Sequence, residues 1–245
     1  MGILGKLFEK KICSVCGSEI KLLSNRKLED GNLCKECAGK LSPRLSDRRS
    51  MTVAQINEHL RYREENAGEL AALHPDRVLG KRTKIYLDTV QRKFIVTGHS
   101  DWRSSGQDVI GLDQVMDCTW DVKEHKRELY RKDEQGKQVS YQPPRYEYSY
   151  EFDIVMHVDS PWFSQIEFEL TDERPESRLK NAYREWQREA EEICAVMTGK
   201  ENGQASAGPL KTPAAPQLAP GEWLCVCGTV NQGKFCPNCG MKIGQ

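Results

Sequence analysis

Cys13-x2-Cys16 and Cys34-x2-Cys37, in KICSVCGSEI and DGNLCKECAGK, are separated by 17 residues and constrain the fold more than any other feature of the chain. Two C-x2-C pairs about 15–20 residues apart have the spacing of a zinc site, because each pair can bend a tight turn around one ion. Gly17 follows the first pair, where a knuckle turn tolerates positive φ. A second quartet lies in WLCVCGTVNQGKFCPNCG, as Cys225-x-Cys227 and Cys236-x2-Cys239. Its first knuckle is one residue shorter than the common pattern, but Gly228, Gly233, Gly240 and the compact C-P-N-C spacing support the same reading. Four soft thiolates suit Zn2+ and leave no vacant coordination position, so two structural zinc ions per chain are expected. Cys118 and Cys194 stand outside both quartets and read as buried or half-buried thiols.

Ten cysteines without an export signal argue for metal before disulfides, since the cytosol keeps thiols reduced. A cytoplasmic location is therefore expected, and no stretch approaches the roughly 18–20 apolar residues that span a bilayer. The segment MGILGKLFEKKIC sets Ile3, Leu4, Leu7 and Phe8 on one helical face among lysines. It reads as a short helix packed on the cysteine module, with peripheral membrane contact through residues 1–12 as the other possibility. Lys/Arg and Asp/Glu number 36 each, but the charge is uneven: +5 over residues 1–50, −7 over 51–198 and +2 over 199–245. Each zinc held by four thiolates adds a net −2, which lowers the first module to +3 and the last to neutral. Nucleic-acid binding needs a concentrated basic face, and these values weaken that case.

From Thr52 the pattern is helical: Thr52 and Gln55 fit a capping box, Val53, Ile56 and Leu60 recur at helical spacing, and Gly68 or His74-Pro75 ends the run. From Lys84 the period changes to two. Ile85 and Leu87 alternate before Asp88, and Phe94 to Val96 follow a polar turn, which predicts a hairpin. Met116, Cys118, Trp120 and Val122 share one face of the next strand. Tyr146 to Val158 sets Tyr146, Tyr148, Tyr150, Phe152, Ile154, Met156 and Val158 against Glu147, Ser149, Glu151 and Asp153, and Ile166, Phe168 and Leu170 repeat the alternation. Such patterns suit an antiparallel sheet covered on one face. After Pro175, Leu179, Tyr183, Trp186, Ala190, Ile193 and Met197 form the seam of a closing helix. The Ala-, Pro- and Gly-rich stretch that follows reads as a flexible linker.

The fold expected is thus α+β, an antiparallel sheet or sandwich with a closing helix, flanked by two small zinc ribbons. Its parts are a four-cysteine module (1–43), a helical connector (44–79), a β-rich domain with a C-terminal helix (80–198), a linker (199–221) and a second ribbon (222–245).

In CSVCG and DGNLCKEC the chain resembles a bacterial family of unknown function, found largely in Gram-positive genomes, whose members start with a C-x-x-C-G, D-G-x-x-C-x-x-C zinc-ribbon domain. MTVAQINEHLRYREEN looks like the helical segment of those proteins. The middle, from KIYLDTVQRKFIV through DVIGLDQVMDC to the closing helix, is similar in order to bacterial pleckstrin-homology-like domains. The tail W-x-C-x-C-G-x-x-N-x-G-K-F-C-x-x-C-G resembles small zinc ribbons appended to many bacterial scaffold and membrane-stress proteins. These resemblances imply an architecture and carry over no substrate.

The sequence contains no H-E-x-x-H and no G-x-S-x-G, and MGILGKLF lacks the spacing of a phosphate loop. Asp117 and Asp121 sit on a solvated strand face. The chain is therefore read as a non-catalytic zinc-binding interaction or adaptor protein whose partner is another protein or itself. A nucleic-acid-binding regulator using the zinc ribbons is the alternative.

Overall fold

The computed structural model describes residues 11–21, 23–45, 47–200, 221–224, 230–236 and 242. They form a mixed α+β chain built largely on antiparallel pairing. No helix among them is long and apolar enough to cross a membrane. Of the helix expected over residues 1–12 only Lys11 and Ile12 are described, and they form a strand; nearly all of the expected linker also lies outside the described residues. Two compact units emerge: one takes the described residues of 1–79, 83–116 and 157–166, the other those of 80–82, 117–156 and 167–245.

The first unit opens with two tiny hairpins. β1 (Lys11–Ile12) pairs with β2 (Glu19–Ile20), and β3 (Arg26–Lys27) with β4 (Asn32–Leu33), before the short helix α1 (Lys35–Gly39). Ile20, Leu28 and Leu33 are buried there together with Ile56 of α2 (Val53–Ala72). Helix α2 starts at the expected capping box: Thr52 Oγ1 accepts from Gln55 N (3.3 Å), and Gln55 Oε1 accepts from Thr52 N (2.9 Å). Asp30 Oδ1 caps the next N–H, that of Val53, at 2.8 Å, so the cysteine module itself finishes the helix end.

Gly68 does not stop α2, although a mid-helix glycine costs about 1 kcal/mol relative to alanine. Leu70 and Leu73 are buried beyond it, against Ile95 and Val109, with Tyr86 and Trp102 packed on that cluster. The helix ends only before His74-Pro75, where the residue preceding proline disfavours the α conformation. Its 20 residues extend about 30 Å and join two separate apolar cores.

β5 (Arg77–Leu79), β6 (Lys84–Asp88), β7 (Lys93–Thr97) and β8 (Ile110–Gly111) form an antiparallel meander in that order. The expected hairpin is present, with Ile85 opposite Val96 and Leu87 opposite Phe94. Asp88 organises its turn: burial opposes ionisation, but N–H groups of Gln91 (2.8 Å) and His74 (2.9 Å) outweigh it and hold the carboxyl below its ordinary range. A second carboxylate, Asp108, is almost wholly buried. It accepts from Ser42 Oγ (2.6 Å), Arg63 Nη1 (2.6 Å) and Tyr62 Oη (3.1 Å), tying the end of the cysteine module to α2 and to the irregular segment that leads into β8.

The long strands β9 (Val115–Lys132), β10 (Gln138–Val158) and β11 (Gln165–Glu169) form a sheet in the order β11-β10-β9. The tip of the β9-β10 hairpin is an Asx turn in which Asp133 Oδ1 accepts from Gln135 N and Lys137 N, both at 2.9 Å. Gly136 takes the φ of +79° that the turn demands. In the second unit Phe152, Ile154 and Met156 of β10 are buried, as are Trp186, Ala190, Ile193, Val196 and Met197 of α3 (Asn181–Met197). Phe152 lies 6.0 Å from Trp120 and 5.0 Å from Tyr183, centroid to centroid.

Three details depart from the alternating pattern. Met116 is 64% exposed, and Leu179 is exposed and precedes α3. Glu151 and Asp153 are buried where a solvated face was expected, because Lys123 lies 2.7 Å from Asp153, and His125 (2.8 Å) and Arg174 approach Glu151. Beyond residue 220, β12 (Trp223–Leu224) pairs with β13 (Val230–Asn231), and Phe235 bridges Lys242.

Candidate metal centre

Each cysteine of the first quartet sits on a turn that the local sequence dictates. Gly17 adopts φ +72° and returns its N–H to the Cys13 carbonyl (2.9 Å), closing the first knuckle as the C-x2-C-G pattern predicts. Cys34 caps α1, its sulfur accepting from Cys37 N at 3.3 Å, which closes the second knuckle. The knuckles are knitted together by Ser14, whose N–H reaches the Asn32 carbonyl (2.8 Å) while its Oγ accepts from Asn32 N (3.1 Å). Gly31 has no room for a side chain: a Cβ there would lie 2.6 Å from Ser14 Oγ and 2.7 Å from Val53 Cγ2.

The four sulfurs of Cys13, Cys16, Cys34 and Cys37 all lie within 4.8 Å of one another. Cys16 Sγ and Cys34 Sγ are 3.8 Å apart. That is the edge of a tetrahedron of sulfurs around zinc, about 3.8 Å for a Zn–S distance near 2.3 Å. Cys34 N also donates to Cys13 Sγ (3.4 Å), and such N–H···S contacts stabilise sulfur charge. The donor set, its dimensions and its backbone donors fit zinc.

Ionisation within the cluster is uneven. Cys16 is exposed, and hydrogen bonds from the Ser18 hydroxyl and then the Ser18 backbone, followed by those with Cys13 and Cys37, bring its pKa down to about 6. For Cys13, burial works against ionisation, yet backbone bonds at Cys16, Cys34 and Val15 prevail and lower it. Burial, followed by the neighbouring thiols Cys16, Cys34 and Cys13, pushes Cys37 up. Zinc binding displaces the remaining protons, so affinity falls with acidification. All four coordination positions belong to the protein, and three of the four cysteines lie in the core shared with Ile56. An ion held by these four sulfurs would cross-link the two knuckles.

Of the second quartet, Cys236 is buried. Cys225, Cys227 and Cys239 lie outside the described residues. Trp223 Nε1 donates to the Gly233 carbonyl (2.6 Å) across this hairpin. Sequence reading missed one pairing of cysteines: Cys118 on β9 and Cys194 on α3 meet with their sulfurs 3.3 Å apart. Sitting 76 residues apart and in no motif, they carried no local signal. Nor did any pattern mark Asp108 as the hub of a buried network.

The fold and the four-sulfur cluster define an N-terminal zinc-ribbon-like unit docked on a helix. A family model described as a domain of unknown function, DUF4428, matches residues 11–59. The match covers the cysteine module and the first part of α2, up to His59, and so coincides with the part of the chain that builds the centre. No curated protein and no solved structure matches the chain.

Proposed function

We propose that the chain is a non-catalytic zinc-binding adaptor of the bacterial cytoplasm, in which zinc holds a contact module for a protein partner or a second copy of the chain. The observation that carries this reading is the closed four-sulfur centre, built into the core that joins the module to α2. Zinc with four protein thiolates has no position left for a substrate. Two apolar side chains on the same module support a contact role: Ile12 is 59% and Leu23 93% exposed. Leu23 also stands at φ +68°, an uncommon conformation for a residue other than glycine, and such backbone outliers cluster at binding sites.

The succession of four antiparallel strands, three more strands and a helix supports a pleckstrin-homology-like reading of the chain from β5 to α3. In the same proposal Cys225, Cys227, Cys236 and Cys239 hold a second zinc. Binding of nucleic acid is the lesser reading. Three cations of the β9-β10 hairpin are already engaged: Lys126 lies over the Tyr146 ring (3.9 Å), Arg145 over Tyr141 (4.8 Å), and Arg127 pairs with Glu147.

Photo-crosslinkers at positions 12 and 23 of the zinc-loaded chain, in host lysate at about 0.15 M ionic strength, should give discrete protein adducts insensitive to added salt. Leu23→Asp should abolish them without changing zinc content. Submicromolar, salt-sensitive binding of oligonucleotides in fluorescence anisotropy, with no such adducts, would transfer the assignment to a nucleic-acid regulator.

A further inference from the structure

Cys118 and Cys194 are the two cysteines of the chain outside the quartets, and their thiols are in direct contact at 3.3 Å. Both are half-buried, within reach of a small solute. A metal site is not what they form: among the described residues, the first quartet is the one group of three or more ligand side chains that could hold an ion. What two sulfurs at this distance can do is bond to each other. A disulfide of about 2.05 Å requires an approach of roughly 1.3 Å. Cys194 is on α3 beside the buried Ile193 and Cys118 is on β9 two residues from Trp120, so the bond would fix the closing helix to an edge strand of its own sheet.

We propose that Cys118 and Cys194 are a reversible dithiol–disulfide site, oxidised by a small hydroperoxide and reset by a dithiol reductant. In the first step the Cys194 sulfur attacks one peroxide oxygen. The O–O bond breaks, a sulfenic acid forms on Cys194, and the departing oxygen takes up the Cys194 proton as water. Next the Cys118 sulfur attacks the sulfenic sulfur. The S–S bond forms, the S–O bond breaks, and the hydroxyl leaves as a second water with the Cys118 proton. Two thiols and one hydrogen peroxide thus give one disulfide and two waters, the two electrons passing from sulfur to the peroxide oxygens. The order follows from the contact, in which Cys118 donates its S–H to Cys194. That hydrogen bond first, then burial, keep the Cys118 proton in place and leave Cys194 as the attacking sulfur. Reduction runs by thiol–disulfide exchange.

The test uses the full-length, zinc-loaded, reduced chain treated with one equivalent of hydrogen peroxide, alkylated and mapped by peptide mass spectrometry, with zinc release followed in parallel. Expected is a Cys118–Cys194 linked peptide that disappears with dithiothreitol and forms before zinc is released. The bond closes a loop across 76 residues, so the melting midpoint should rise by roughly 10 °C on oxidation. Cys118→Ser and Cys194→Ser should each show neither the linked peptide nor the rise. Should either variant fold poorly, the wild-type peptide map decides alone. Separately alkylated Cys118 and Cys194 after treatment, a stable sulfinic acid on either, or zinc loss with both thiols still reduced would overturn the proposal.

Discussion

His59 shows how much a single buried base can couple this chain to acidity. It is fully buried, its Nε2 accepts the Ser42 N–H (3.0 Å), and burial, then the charge of Arg63, pushes its pKa down to about 4. An unfolded histidine titrates near 6.5. A base depressed on folding contributes stability that is complete above about pH 6.5 and is lost as pH falls towards about 4, here on the order of 3 kcal/mol. His59→Gln keeps an acceptor for Ser42 N but does not titrate, so urea melts of this variant should lose less stability than wild type over that window. An equal loss would remove His59 as the cause. Asp108→Asn should have a larger effect at neutral pH, destabilising by about 3 kcal/mol, because the half-buried guanidinium of Arg63 loses its counter-charge. Sequence reading located Gly17 and the Thr52–Gln55 box because their partners are within four residues. Asp108 was illegible because Ser42, Tyr62 and Arg63 reach it across 45 to 66 residues.

Helix α2 is the element through which an ion held by the first quartet would act at a distance. Its first turns are buried against the cysteine module through Ile56, and its last against the sheet through Leu70. Chelation should therefore fray the helix from one end: amide exchange protection should fall over residues 53–60 and persist over 66–73. Uniform loss along α2 would show that the two cores are not separable. Gly31→Ala tests the same junction without touching the metal ligands. Its Cβ meets Val53 and Ser14, so the module should dock less tightly, at a cost of about 1–3 kcal/mol read from chemical denaturation of the zinc-loaded protein. Periodicity revealed β6, β7, parts of β9 and β10, β11 and both long helices, since a repeat of two or of three to four residues is visible within one element. It could not reveal that Glu151 and Asp153 are covered, because Lys123, His125 and Arg174 come from other segments.

For the whole chain, the proposal of two zinc sites is tested by metal content. Protein purified without added zinc should contain two equivalents, and Cys236→Ser should leave one; one equivalent in the wild type would exclude the C-terminal site. The first centre was legible from spacing alone because all its parts lie in one short stretch, which is also the stretch matched by the family model. That compactness has a consequence in time. A chain made at about 5–20 residues per second finishes everything the first centre needs, through Leu60, well before the strands of either long sheet exist. The segment that builds the first centre is thus complete, with all four candidate ligands in place, before the rest of the chain is made.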